Sequence, residues 1–149
     1  MRIKEAIKQN KDFKDNRHEA LVNIQFTASW LTLFNSKVVE PHNLSMQQYN
    51  VLRILRGQHP KSVTVKFIIE RMLDKSSNAS RLVDKLLAKG LVERTQCPED
   101  RRRVDIMISK KGLELLEKLG IEFEKINKSL NLSEEDARTL SDLLDKMRT

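Results

Sequence analysis

The sequence predicts a mainly α-helical protein interrupted by one small β-hairpin. Three observations carry that expectation. Only 4 Gly and 3 Pro occur among 149 residues and aromatic residues make up 5%, a composition that favours long helices over many-turned β architectures. Apolar residues recur at helical spacing along most of the chain, and several of these runs open on Ser or Thr at a capping position. Period-two alternation is confined to the stretch from about Leu91 to Ser109. The length is that of one domain able to bury a real core.

From about Glu19 to Val39, Leu21, Ile24, Ala28, Leu31 and Val38 mark one helical stripe, yet Val22, Phe26, Trp30 and Leu33 are apolar as well. A helix apolar around most of its circumference needs partners on two sides, and lying between its own domain and a second subunit meets that need. After the break at Pro41–Asn43, Ser45 opens a second helix, with Gln48 at capping-box spacing and Leu44 as its staple. Tyr49, Leu52 and Leu55 form its core stripe, and Gly57 marks its end. A short helix follows in TVKFIIERML, capped by Thr64.

In SSNASRLVDKLLAKG, Ala79, Leu82, Val83, Leu86 and Leu87 line one face and Asn78, Arg81, Lys85 and Lys89 the other. Ser76 or Ser77 is the expected cap, and Gly90 the left-handed residue that ends the helix. LVERT then reads as a strand. VDIMIS reads as its partner, with Val104, Ile106 and Ile108 on one face, Arg103, Asp105 and Met107 on the other, and Gln96–Arg102 at the tip. Ser109 caps a helix running to about Leu130, and Ser133 with Asp136 caps a last one through Met147.

Short helices followed by a hairpin give the order of a winged helix-turn-helix, flanked here by N- and C-terminal helices suited to dimerisation. The expected division is an N-terminal dimerisation region at 1–43, a DNA-binding lobe at 44–112 and C-terminal dimerisation helices at 113–149. Within the lobe the recognition helix covers about 77–89 and the wing about 91–109.

Charge is distributed to match. The formal net charge is +7; residues 1–60 carry +4, residues 61–112 carry +6 and residues 113–149 carry −3. A polyanion is therefore the first partner to consider. The peak contains CPEDRRRVDIMIS, where three consecutive arginines repel one another at a loop tip with few carboxylates to neutralise them. The single cysteine, Cys97, fits a reducing compartment. The N-terminal MRIKEAIKQNKDFK lacks the apolar core of a signal peptide and no stretch approaches a membrane span, so a cytoplasmic protein is expected. His18, His42 and His59 lack partners at metal-ligand spacing, and no Gly-rich phosphate loop, nucleophile elbow or paired-carboxylate pattern occurs. Neither an enzyme nor a cofactor or metal is expected.

The run SRLVDKLLAKGLVERTQCPEDRRRVDIMISKKG resembles the core of the MarR family of bacterial transcription regulators (multiple antibiotic resistance regulators). Asp100-Arg101-Arg102 matches that family's wing D-x-R, Ile108-Ser109 stands where Leu-Thr ends the second strand, and Gly112 opens the next helix. The match is most specific from about Leu44 to Gly112, while the outer helices agree in order and length. The resemblance implies an obligate homodimer built from the first and last helices, bound to a roughly palindromic operator in double-stranded DNA, and often released by a small ligand or an oxidant.

DNA would supply the negative charge that the arginines lack. Arg102 is expected in the minor groove, where a narrow A·T tract concentrates negative potential. By resemblance Asp100 holds it in place while Arg101 and Arg103 meet phosphates; a plain solvated tip, neutralised by Glu99 and Asp100, is the competing reading. On the recognition helix the candidates are Ser76, Ser77, Asn78, Ser80, Arg81 and Lys85. Arg81 is the expected base contact, on guanine; Asn78 has the geometry for adenine but serves equally as a cap. Lys61, Lys66, Lys85 and Lys89 are candidates for phosphate. Phe26, Trp30, Met46 and Tyr49 are candidates for a pocket taking a small aromatic or phenolic effector, although plain core is the commoner role of such residues. Cys97 reads as an incidental thiol, because sensing members of the family place theirs in the first helix. The leading reading is a homodimeric, sequence-specific repressor. The alternative is a winged-helix protein-interaction module whose basic wing faces an acidic partner. Double-stranded RNA is disfavoured, since its deep, narrow major groove excludes a helix.

Overall fold

A computed structural model describes residues 1–97, 99–100 and 102–149. Its elements are α1 (Ile3–Ala6), α2 (Asn16–Val39), a 3-10 turn (Glu40–His42), α3 (Met46–Gln58), α4 (Val65–Arg71), α5 (Ala79–Ala88), β1 (Val92–Gln96), β2 (Val104–Ile108), α6 (Lys110–Ser129) and α7 (Glu134–Met147). The mainly helical class with one hairpin is thus as expected. No helix among the described residues is long and apolar enough to cross a membrane.

The caps explain most of the boundaries. Ser45 and Gln48 form the reciprocal box, at 3.1 and 2.9 Å, with Leu44 buried beside it. Thr64, Ser109 and Ser133 accept from the N–H groups of Phe67, Gly112 and Asp136. Several boundaries differ from the sequence reading. Helix α2 starts earlier because Asp15 accepts from the His18 N–H; α1 is too short to show periodicity. Helix α3 runs through Gly57 to Gln58. Helix α4 stops at Arg71, and Met72 turns extended to bury its side chain while Asn50 Oδ1 takes the Leu73 N–H at 2.9 Å.

The strands pair antiparallel from Val92–Ile108 to Gln96–Val104. A third short segment joins them: Val63 and Ile106 exchange backbone hydrogen bonds of 2.9 and 2.7 Å, tying the wing root to the residue before the α4 cap. Ile106 and Ile108 are buried as expected, but Val104 is 39% exposed and Asp105 only 8%. The alternation fails at the turn end of the hairpin because Asp105 lies beneath Arg103 and opposite Thr95. The core lies where α3, α4, α5, the hairpin and the root of α6 converge, on Leu52, Leu55, Ile68, Val83, Leu86, Ile106, Ile108, Leu116 and Leu119.

Between α5 and α6 the chain makes a tight junction. Gly90 adopts φ +69°, and the N–H groups of Gly90 and Leu91 return to Leu87 O and Leu86 O at 3.0 Å, the double bond pattern that closes a helix through a left-handed residue. Ser109 donates its hydroxyl to Gly90 O at 2.7 Å and its N–H to Leu91 O at 3.0 Å, then accepts from Gly112 N–H. A Cβ on Gly112 would collide with Leu91 O and lie 2.7 Å from Ile108 Cγ1.

Helices α2 and α7 leave apolar side chains in solvent, including Leu21, Phe26, Trp30 and Leu33 on α2 and Leu140, Leu143 and Met147 on α7. On α2 they occur around the circumference, and α3 and α6 cover only part of it.

Gly112→Ala should destabilise the protein by about 1–3 kcal/mol through overpacking against backbone. Gly90→Ala should lose about 1–2 kcal/mol from the left-handed penalty. Gly120→Ala, in open space on α6, should be neutral or gain up to about 1 kcal/mol from helix propensity. Urea denaturation followed by far-UV circular dichroism ranks the three.

Candidate nucleic-acid interface

Helix α5 divides cleanly. Ala79, Val83 and Leu86 are buried in the core, whereas Ser80, Arg81, Asp84 and Lys85 are exposed on the opposite face. Asp84 is taken by Arg94 of β1, at 3.0 Å, which leaves the Arg81 guanidinium without a partner among the described residues. Lys85, Lys61 and Lys66 likewise have uncommitted ammonium groups there. A surface concavity of about 380 Å³ brings Ser76, Ser77, Asn78, Arg81 and Lys85 together with Gln47 and Asp74, two residues the sequence reading did not single out.

The start of α5 corrects one expectation. Neither Ser76 nor Ser77 caps the helix; Asn78 does, its Oδ1 accepting from the Arg81 N–H at 3.1 Å. The reason lies upstream. Asp74 accepts both the Ser76 N–H at 2.9 Å and the Ser76 hydroxyl at 2.6 Å, and its carbonyl takes the Ser77 N–H. These bonds form a turn that delays the helix, and the two Ser76 donors hold the Asp74 carboxyl below the usual carboxylate range. The Ser77 hydroxyl is buried without a hydrogen-bond partner. The signal available in sequence was Asp two residues before Ser, the pattern of a side chain closing a turn on its own backbone.

At the wing, Asp100 Oδ1 accepts from the backbone N–H of Arg102 at 2.9 Å, so the carboxylate shapes the turn and does not grip the guanidinium. The Arg102 side chain is exposed and has no partner among the described residues. Arg103 donates Nε to Asp105 at 2.9 Å, and that bond and charge raise the arginine's pKa further. Its backbone closes the tip, with N–H to Asp100 O and carbonyl to Cys97 N–H. Arg101 lies outside the described residues. Cys97 is a half-buried free thiol at the base of this turn.

Lys89 departs from its expected role. Its ammonium bonds Asn43 O and reaches Gln48 Oε1 at 3.4 Å, while its own carbonyl accepts from Lys111. It ties the end of α5 to the start of α3.

The four effector-pocket candidates separate. Met46 and Tyr49 line a cleft of about 610 Å³ bounded by Leu31, Asn35, Asn50, Arg53 and Leu73. Phe26 and Trp30 are not among its lining residues: Phe26 lies beside α1, and Trp30 stacks on Phe34 one turn along α2, with ring centroids 5.2 Å apart. Tyr49 also stacks on Phe123 of α6 at 4.7 Å and is mostly buried. Among the described residues no three His, Cys, Asp or Glu side chains converge as a metal site would require.

A capped helix with one buried and one cationic face, set against a three-segment wing, defines a winged helix-turn-helix protein. Residues 44–104 match the MarR family model. The regulator MgrA of Staphylococcus aureus is 26% identical over 114 residues, 76% of each chain. A MarR transcription factor from Planctomyces limnophilus superimposes with a TM-score of 0.68 at 29% identity, over 92% of this chain and 98% of that one. The Staphylococcus aureus MepR–DNA complex gives a TM-score of 0.75 at 21% identity, over 89% and 96% respectively. Over residues 44–104 the chain is thus similar to the MarR family of transcription regulators, and its fold is that of the MarR structure it superimposes on.

Lys85→Ala should reduce the slope of log K against log salt for duplex DNA by about 0.9. Lys89→Ala should leave that slope unchanged and lower the unfolding midpoint instead. Fluorescence anisotropy across a salt series, with thermal melts beside it, separates the two lysines.

Proposed function

We propose that the chain works in the cytoplasm as a homodimeric repressor that occupies a two-fold operator and blocks access of polymerase. The observation that carries this reading is the outer face of α5, where Arg81 and Lys85 remain uncommitted because Asp84 is held by Arg94. Arg81 reads guanine in the major groove, and Lys85, Lys61 and Lys66 meet phosphates. The wing places Arg102 in the minor groove. Asp100 serves by shaping the turn, while Arg101 and the part of Arg103 not engaged by Asp105 lie against phosphate.

The regions 1–43 and 113–149 form the dimer interface, and the apolar residues left exposed on α2 and α7 support that assignment, since a patch of this kind on a monomer is costly in water. A small aromatic or phenolic effector in the Met46–Tyr49 cleft releases the operator. The cleft supports this by its position: Leu73 and Asp74, at the turn leading into α5, form part of its wall.

Selection from a random duplex pool should enrich a motif with two-fold symmetry, and sedimentation should give twice the chain mass at micromolar concentration. Enrichment of nothing, with capture of an acidic protein through the wing, would favour an interaction module instead. Arg102→Ala should weaken binding by about 1–3 kcal/mol on an operator with an A·T-rich flank. The loss should shrink on a G·C-rich flank, whose wider groove already weakens the wild-type contact. Equal losses on both flanks would reduce Arg102 to a phosphate contact.

A further inference from the structure

The hydrogen bonds at the start of α5 decide what its first outward residue can read. An asparagine recognises adenine by using both ends of its amide, with oxygen accepting from N6 and nitrogen donating to N7. In this chain the oxygen of Asn78 is already engaged with the Arg81 N–H. Neither serine shares that duty: the Ser76 hydroxyl is turned to the Asp74 carboxylate, and the Ser77 hydroxyl makes no hydrogen bond among the described residues. Releasing the oxygen to meet a base would leave a first-turn N–H unpaired, the condition that capping removes.

We infer that Asn78 acts as a donor-only reader, selecting a keto base in the major groove and discriminating against adenine. With its oxygen turned back on the Arg81 N–H, the part of the amide not engaged by the backbone is its NH2 group, and a base that meets it there must accept. Guanine presents two adjacent acceptors, N7 and O6, and thymine presents O4; adenine sets its amino donor beside N7, and cytosine presents only a donor. The adenine pairing expected from residue type alone is therefore replaced by preference for guanine or thymine. The inference rests on the proposal that the outer face of α5 reads DNA, and it adds the specificity of one position.

Capping offers a clean test, because Asp and Ser cap a helix about as well as Asn does and neither carries the amide donors. Random-duplex selection is run on wild type, Asn78→Asp and Asn78→Ser, with circular dichroism to verify helix content. Wild type should enrich guanine or thymine over adenine by about fivefold at one column of each half-site, the low end of what a good base contact discriminates. In Asn78→Ser that column should flatten. In Asn78→Asp it should move towards cytosine, whose amino group suits a carboxylate. Hydrogen exchange at the Arg81 amide should stay slow when wild type binds its enriched duplex.

Adenine at that column in wild type, with the Arg81 amide exposed on binding, would overturn the inference while leaving the regulator intact. So would a motif with no column that responds to either variant. A wild-type pool with no enrichment at all would remove the DNA-reading function itself, and this inference with it.

Discussion

Ser109 joins three elements through its backbone N–H and one hydroxyl group, and the placement of α5 depends on that junction. Its side chain fastens the left-handed end of α5, its amide fastens the next residue, and the same hydroxyl caps α6. The geometry demands that nothing project from Gly112, where backbone and Ile108 already occupy the space a methyl would need. Lys89 and Lys111 brace the same corner from outside, bonding carbonyls at Asn43 and Lys89. These contacts fix where α5 ends, and the bridge between Val63 and Ile106 fixes the hairpin against the start of α4.

The acids of the lobe have a related role. Asp84 holds Arg94, Asp105 holds Arg103, Asp100 takes the Arg102 N–H and Asp74 takes both Ser76 donors. An exposed ion pair such as Asp84–Arg94 contributes only about 0–1 kcal/mol, so stability is a poor account of it. The effect of these acids is to sort the cations. Arg94 and Arg103 have their charge met by Asp84 and Asp105, while Arg81 and Arg102 have no partner among the described residues.

Much of this was legible in sequence because it is local. Caps at Ser45, Thr64, Ser109 and Ser133 depend on residues three apart, and the buried face of α5 depends on periodicity, both of which survive any tertiary arrangement. What escaped was decided by competition or by distance. Three polar residues in a row, Ser76, Ser77 and Asn78, could each cap α5, and Asp74 removed the first of them by binding it. Lys89 looked like any exposed helical lysine until Asn43 and Gln48, more than 40 residues away, met it. Val63 has no strand pattern of its own and pairs only because Ile106 arrives beside it. The wing alternation failed at Asp105 because a buried carboxylate beneath its own arginine reads, residue by residue, like an outward one. Of the cleft, Met46 and Tyr49 were accessible by composition, but the rotation of α2 that turns Trp30 and Phe26 elsewhere was not, since that helix carries apolar residues around most of its circumference.

The rigid root of α6 also sets a mechanical tolerance. Helix α6 has 20 residues and is about 30 Å long, so it acts as a lever whose fulcrum is the Ser109–Gly112 corner. A slack of about 5° there would swing the far end by about 3 Å, close to the rise of one base pair along a duplex. In the proposed dimer, whose subunits meet through the outer helices, such play would blur the separation of the two reading heads by a full step of the DNA ladder. The close approach at Gly112 is thus a setting of length as well as of packing: a bearing tight enough for two heads to agree on the spacing of the sites they share.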